Sequence, residues 1–255
     1  MTDKSDSSLP HFVQDDQLAY ERYRTEFFDN QGLSFDTAYR LAHLPLVAPD
    51  HPLVIKSDPN KGYDMGLHNL VYSVAMPLPE DKIFSSSIFQ EFIKEISNTK
   101  LASKISWPSF EQRKNKLHAT ICSFLSTDEA PVIAQEVFEK VAQTEGFSVQ
   151  VRGLFSGNLN VGRLYLRMYP EMRRGINVCH QIQKAFDKKP TDLYVVGILN
   201  LIDELDADEA TTLSALIERW WDRQFVQIDL KELWMVKTRD DLVLDGCIDR
   251  VIPLV

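Results

Sequence analysis

The chain lacks any long hydrophobic run. None of its apolar stretches approaches the ~20 residues that a helix needs to cross a bilayer, and its first residues contain no hydrophobic signal-peptide core. Hydrophobic residues make up 44% and charged residues 25% of the 255 positions, which is usual for a soluble globular protein. We therefore expect a cytoplasmic protein without membrane association, with one large domain or two small ones.

Cysteine is scarce as well. The three cysteines, Cys122, Cys179 and Cys247, are widely spaced and include no CxxC pair. This number and spacing predict neither a disulfide framework nor a metal-ligand set, and they suit a reducing compartment. We expect no metal site and no cofactor.

Positive charge is in deficit. The chain carries 28 Lys and Arg against 37 Asp and Glu, a net charge of −9. Nonspecific binding to a DNA duplex needs clustered Lys and Arg, so this class of function is not expected. A local basic pocket remains compatible with the overall balance.

One stretch, residues 116–125, carries a chemical pattern. Its β-branched, aromatic and apolar residues, uninterrupted by Gly or Pro, predict a strand. Because side chains alternate along a strand, His118 and Thr120 face the same side, about 7 Å apart at Cα. An imidazole can move a proton, and a hydroxyl can donate a hydrogen bond to a phosphoryl oxygen. The alternative is that both side chains face the core and bond to neighbouring backbone.

Residues 1–66 are interpreted as an N-terminal helical extension. Residues 1–10 are polar and charged and predict disorder. Aromatic spacing predicts a helix from Gln14 to Asn30, and a short second helix follows from Phe35 to His43. The proline-rich stretch 44–66 is expected to be a long connection.

From residue 67 onward, helices and strands follow one another in an order that occurs twice. The predicted strands are 70–76, 116–125, 147–154, 163–169, 193–202, 225–234 and 241–252. The predicted helices are 81–97, 127–141, 170–188 and 208–221. The repeated order indicates a duplicated arrangement without a residue-level repeat.

The opening strand Leu70–Met76 with the proline-rich turn after it, and the strand that holds His118 and Thr120, resemble two landmarks of a known family. This is the two-histidine (2H) phosphoesterase superfamily, which includes RNA 2′,3′-cyclic phosphodiesterases and the bacterial 2′–5′ RNA ligase family. The resemblance covers residues 67–255. It implies an α+β fold with two pseudo-symmetric lobes, each an antiparallel sheet backed by helices, around a central cleft. It also implies a phosphodiesterase-like hydrolase that acts on a cyclic-phosphate nucleotide or an RNA end, with His118 and Thr120 as catalytic residues.

The sequence departs from that family at its second motif. Family members carry a second His-x-Thr or His-x-Ser on the pseudo-symmetric strand, whereas the strand 193–202 contains no His, Thr or Ser. The nearest match puts Asn200 in the histidine's place, and an amide cannot shuttle a proton near pH 7. Other groups would then bind the substrate or transfer the second proton. The candidates, besides Asn200, are His68, Tyr165, Arg167, Lys237 and Arg239.

Three functions stay open at this stage. The first is a hydrolase that is weakened by the missing histidine. The second is a non-catalytic module that binds a small phosphate-bearing ligand, a nucleotide or an RNA end in the same cleft. The third is an interaction protein whose cleft is idle and whose aromatic residues, from Tyr20 to Phe28 and at Trp220 and Trp221, contact a partner. The oligomeric state is left open.

Overall fold

The structure is a computed structural model that describes residues 9–255; the expectation of disorder therefore falls, for residues 1–8, outside the described residues. The strands in chain order are β1 (Ser57–Asp58), β2 (Tyr63–Asp64), β3 (Leu67–Pro77), β4 (His118–Thr127), β5 (Phe147–Ser156), β6 (Arg163–Pro170), β7 (Met172–Arg173), β8 (Ile176–Asn177), β9 (Val195–Asn200), β10 (Gln224–Leu230), β11 (Glu232–Asp240) and β12 (Cys247–Pro253). The α-helices are α1 (Thr37–Ala42), α2 (Leu44–Val47), α3 (Glu80–Phe84), α4 (Ser87–Ser97), α5 (Trp107–Arg113), α6 (Gln135–Ala142), α7 (Val178–Ala185) and α8 (Ala207–Trp220).

Ten strands form one antiparallel sheet, and its two halves meet between β4 and β9. One half has the order β12-β11-β3-β4, with the β1–β2 hairpin attached at the end of β3, and the other has the order β9-β6-β5-β10. At the junction the register pairs Ala119 with Val196. The predicted α+β class is confirmed, with six strands, the β1–β2 hairpin included, on the β4 side of the junction and four on the β9 side.

The helices bury apolar stripes against this sheet. In α4, Phe89 and Phe92 are fully buried, and the hydroxyl of Ser86 caps the helix by accepting a hydrogen bond from the Phe89 amide. At the end of α8, the ring of Trp220 stacks on Phe225 with 5.6 Å between ring centroids. Such packing explains why the spacing of apolar residues predicts these two helices. Among the described residues, no helix has both the length and the apolar character to cross a membrane.

The prediction of a helix from Gln14 to Asn30 is wrong. This segment contains only two short 3-10 turns, at Asp15–Gln17 and Glu21–Tyr23. Its aromatic residues do not form one helical stripe, because Tyr20 is fully buried and its hydroxyl lies against the backbone carbonyls of Met168 and Tyr194. Tertiary contacts with the sheet therefore override the local spacing.

Three other predicted helices differ from the structure in their limits. The segment 81–97 forms two helices, α3 and α4, because the chain breaks at Ser85 and Ser86 caps the second one. The segment 127–141 is helical only from Gln135, after a loop that contains Pro131. The segment 170–188 begins with the β7–β8 hairpin, whose Gly175 has a positive φ of 75°.

The chain after α8 also differs in detail. The predicted strand 225–234 is two strands, β10 and β11, separated at Lys231. The predicted strand 241–252 begins only at Cys247, because residues 241–246 form a loop. This loop lines the cleft described next.

Candidate active site

A cavity of about 760 Å³ opens where the two halves of the sheet meet. Four of the residues proposed from the sequence line it, namely His118, Thr120, Tyr165 and His68. Its walls come from β3, β4, β6, β9 and β11, from the loop 240–246 and from the segment 157–160. A cavity of this size is large enough for a nucleotide.

His118 stands at the first position of β4, partly buried in the cleft. Its Nδ1 lies 2.7 Å from the backbone carbonyl of Lys116. Because a carbonyl can only accept, Nδ1 carries the proton and Nε2 carries the lone pair. Burial, together with the neighbouring positive charges of Arg163 and Arg113, lowers the pKa of His118 to about 4, although the Lys116 carbonyl opposes this shift. The ring is therefore neutral at pH 7 and can accept a proton.

Thr120 lies two residues further along the same face of the sheet. The register pairs His118 with Pro77 and Thr120 with Ala75 without a bulge between them, so the two side chains point to the same side. Thr120 is exposed to the cavity. Its hydroxyl can donate a hydrogen bond to an anion that lies in front of His118.

The register between β4 and β9 identifies the counterpart of this motif in the other half. A twofold axis through the Ala119–Val196 pair relates the two strands. It makes Val195 the equivalent of His118 and Gly197 the equivalent of Thr120. Both residues line the cavity. Asn200 is therefore not the counterpart of the second histidine that the sequence indicates. It lies three residues beyond Gly197 on β9, where it is fully buried and outside the cavity lining.

Arg163 fills the space beside Gly197. A Cβ atom at Gly197 would lie only 2.2 Å from Nε and Nη2 of Arg163, so only glycine permits this position of the guanidinium. Nη1 of Arg163 donates to the backbone carbonyl of Asp241 at 2.9 Å, and Nε is buried without a partner in the described residues. The guanidinium lies 5.2 Å from the ring of Tyr165, which is paired with Gly197 across β6 and β9.

Two further cations, Arg113 and Lys116, line the cavity. Arg113 is buried and donates to the carbonyls of Ile198 and Leu242, at 3.0 and 3.4 Å. Lys116 donates to two carbonyls of the loop 240–246 at 3.1 Å each. Burial lowers the pKa of both groups. Across residues 9–255, neither these two nor Arg163 forms a direct ion pair with a carboxylate. The cavity lining holds four Arg and Lys side chains against three Asp side chains, so positive charge is in slight excess there.

His68 lines the cavity but is engaged with Asp241. Its Nε2 lies 3.5 Å from Oδ1 of Asp241. The other carboxylate oxygen, Oδ2, accepts a hydrogen bond from the Tyr63 hydroxyl at 2.9 Å. Burial opposes protonation of His68, but Asp241 more than offsets it and raises the pKa of the histidine. Burial likewise acts against ionisation of Asp241, yet His68, His43 and Tyr63 hold its pKa at about 2. His68 and Asp241 thus form a histidine–carboxylate pair at the cleft wall.

The structure does not bring the remaining candidates into the cleft. Arg167 is fully buried elsewhere, between the carboxylate of Asp15 at 3.3 Å and the ring of Trp221 at 3.7 Å. Lys237 pairs with Asp249 on β12 at 2.9 Å. Arg239 is exposed and outside the cavity lining.

Asn200 has an internal role instead. Its Nδ2 lies 3.5 Å from the hydroxyl of Tyr39, which itself donates to the carbonyl of Leu201 at 2.5 Å. Asn200 thus joins β9 to helix α1 of the N-terminal extension. No cluster of three metal-binding side chains occurs in the described part of the chain.

Sequence reasoning missed Arg163, Arg113 and Lys116 as parts of the site. A signal for Arg163 was available in Gly197, because an isolated glycine within a strand of bulky residues often marks a close approach. Arg113 precedes β4 on α5, and no local pattern points its side chain at the cleft.

Comparison with known proteins gives two distant structural likenesses. No family model matches the chain, and no curated protein matches it. The chain is similar to TT0787 of Thermus thermophilus, with 12% identity over 73% of this chain and 97% of that one and a TM-score of 0.40. It is also similar to E. coli LigT complexed with NADP+, with 14% identity over 74% of this chain and 96% of that one and a TM-score of 0.34. Both likenesses are weak, and the proposals below rest on the residues of the cleft.

Proposed function

We propose that this chain is a phosphodiesterase-like hydrolase of the 2H type that acts on a cyclic-phosphate nucleotide or RNA end with one histidine. The observation that carries the proposal is the position of His118 at the cavity wall, with Nδ1 held 2.7 Å from the Lys116 carbonyl. Its lowered pKa leaves Nε2 free to accept a proton. Thr120 and Arg163 line the same cavity and can bind phosphoryl oxygens. The slight excess of positive charge in the cavity lining also favours an anionic ligand in a chain of net charge −9.

The residues define an order of events. Nε2 of His118 accepts a proton from water as the water oxygen attacks phosphorus, and the phosphorus–oxygen bond of the cyclic ester breaks. Thr120 and Arg163 stabilise the charge that develops on the phosphoryl oxygens. The leaving oxygen takes its proton from the phenol of Tyr165, which lines the cavity and which burial keeps protonated by raising its pKa. The proton on His118 then returns through solvent to the Tyr165 phenolate, which restores both groups.

The test is an assay of the purified chain with 2′,3′-cyclic nucleotides and short RNAs that end in a cyclic phosphate. We expect His118→Ala to lower kcat/KM by about 10²–10⁴-fold, the usual contribution of a general base. The matched control is His11→Ala, because His11 is exposed and outside the cavity lining. Equal rates for the wild type and His118→Ala would refute the catalytic proposal.

A non-catalytic phosphate-binding module is the second candidate. It is favoured by the pair Val195 and Gly197, which occupies the position of a second motif without any group that transfers protons. In that case phosphate compounds raise the melting temperature, and Thr120→Ala and His118→Ala both reduce the shift. Stabilisation by ligand without turnover would select this function over the hydrolase.

A further inference from the structure

The strand that carries His118 has a pronounced bulge further along the cleft. The register pairs Val74 with Cys122 and then Tyr72 with Ser126, so two steps along β3 correspond to four along β4. The extra residues of β4 push its backbone outward. Phe124 lies in this bulge.

Phe124 is presented to solvent by an unfavourable backbone conformation. Its φ is +51°, in the left-handed region that non-glycine residues seldom adopt, and it is 68% exposed. The ammonium group of Lys188 donates to its carbonyl at 2.9 Å and helps to hold the bulge. An aromatic residue kept in solvent by a strained bulge indicates a binding role.

The position of Phe124 distinguishes it from other exposed apolar residues. It lines the same cavity as His118, whereas Phe28, which is 59% exposed, does not. Leu159, which is 63% exposed, lies on the cavity wall formed by the segment after β5. The cleft therefore runs from a cationic end at His118 to the exposed ring of Phe124.

The register of β3 measures the separation of the two ends. Pro77 lies opposite His118, and Phe124 falls level with Ser73, which is four residues away. At ~3.4 Å per residue the separation is about 14 Å. A stacked nucleic acid strand advances about 3.4 Å per nucleotide, so this separation corresponds to about four stacked nucleotides.

We propose that Phe124 is a stacking platform for a nucleobase and that the cleft takes the end of a single-stranded oligonucleotide rather than a mononucleotide. The terminal phosphate lies at His118, and a base about four nucleotides away stacks on Phe124. An open, flat ring suits a base, since every base offers a π face, and Lys188, whose ammonium group lies 2.9 Å from the Phe124 carbonyl, adds positive charge there. The proposal rests on the phosphate site proposed above.

The experiment compares the affinities of uridine 3′-monophosphate and of a uridine hexanucleotide with a 3′ phosphate, by calorimetry at one fixed salt concentration. Neither probe contains a cyclic ester, so binding is measured without turnover. We expect Phe124→Ala to weaken the hexanucleotide about 5- to 150-fold, the usual contribution of stacking, and to leave the monophosphate within about twofold. Phe124→Trp should retain the affinity, and Phe28→Ala is the matched control for an exposed phenylalanine outside the cleft.

The outcomes separate the two proposals. If the wild type binds both probes equally and Phe124→Ala changes neither, the stacking platform is refuted and the phosphate site remains. If the wild type binds neither probe, the phosphate site itself fails. If Phe124 increases the affinity for a phosphorylated acyl chain but not for the hexanucleotide, then the Phe124 end of the cleft binds lipid-like ligands and the proposal is overturned. Thermal melting should show Phe124→Ala folded, because its ring is mostly exposed.

Discussion

Gly197→Ala is the substitution that most sharply tests how the cleft is built. The added Cβ would lie 2.2 Å from two nitrogen atoms of Arg163, whereas ordinary contacts begin near 3.4 Å. The guanidinium must therefore move by more than about 1 Å. It would lose its hydrogen bond to the Asp241 carbonyl and its position beside Tyr165.

The expected effect on the ligand is large and the effect on folding is small. A hydrogen bond to a charged group contributes about 1.5–3 kcal/mol, so we expect a 10- to 150-fold loss of affinity for uridine 3′-monophosphate. Catalysis should fall by about 100-fold, as for other misplacements of about 1 Å. A guanidinium can rearrange, so the free energy of unfolding should decrease by no more than about 1–3 kcal/mol.

The assay is a double-mutant cycle with Arg163→Ala, read by calorimetry and by urea unfolding. If Gly197 acts by making room for Arg163, then the double variant should bind no more weakly than Arg163→Ala alone. Additive losses, or wild-type affinity for Gly197→Ala, would refute the reasoning.

Three further predictions follow from other parts of the structure. The neutral form of His118 is favoured in the folded chain, so the contribution of His118 to the free energy of unfolding should be constant above about pH 6.5 and decrease between about pH 6.5 and 4. It is measured as the difference between the wild type and His118→Ala, because the buried His43 adds a loss of the same sign. The loss reaches at most about 2 kcal/mol at pH 5 in urea unfolding, and it should shrink in His118→Ala. Lys237→Ala and Arg239→Ala should each leave turnover or ligand affinity within about twofold, because neither side chain lines the cavity; a tenfold loss would contradict the site. Tyr20→Phe should lower the free energy of unfolding in urea by about 1–3 kcal/mol, because it removes a buried hydroxyl that lies against two backbone carbonyls. An unchanged unfolding midpoint would show that this contact of the N-terminal extension does not stabilise the fold.

Strands with alternating or continuous apolar residues are predictable from the sequence, and β3, β4, β5 and β6 all occur where the pattern places them. The segment around Tyr20 is not, because its aromatic residues serve different contacts with β6 and with the chain before β9. Their spacing matches a helix by coincidence, and only the folded sheet reveals the extended path.

The candidate site divides in the same way. His118 and Thr120 follow from a local pattern, since both lie on one strand two residues apart. The guanidinium of Arg163 takes its position because Gly197, 34 positions away in the chain, leaves room for it. The isolated glycine indicates a close approach, but no local pattern identifies Arg163 as the neighbour. The sequence alone matches Asn200 to the second histidine, whereas the pairing of Ala119 with Val196 sets the true correspondence.

The most direct measurement of the central claim is the NMR titration of the His118 ring, with and without uridine 3′-monophosphate. In the free chain, the ring should be protonated at Nδ1 and should titrate near pH 4. Adding the ligand should shift its resonances and raise its pKa, because a nearby phosphate favours the charged imidazolium. A ring whose resonances and pKa do not change at saturating ligand would contradict a phosphate site in front of His118.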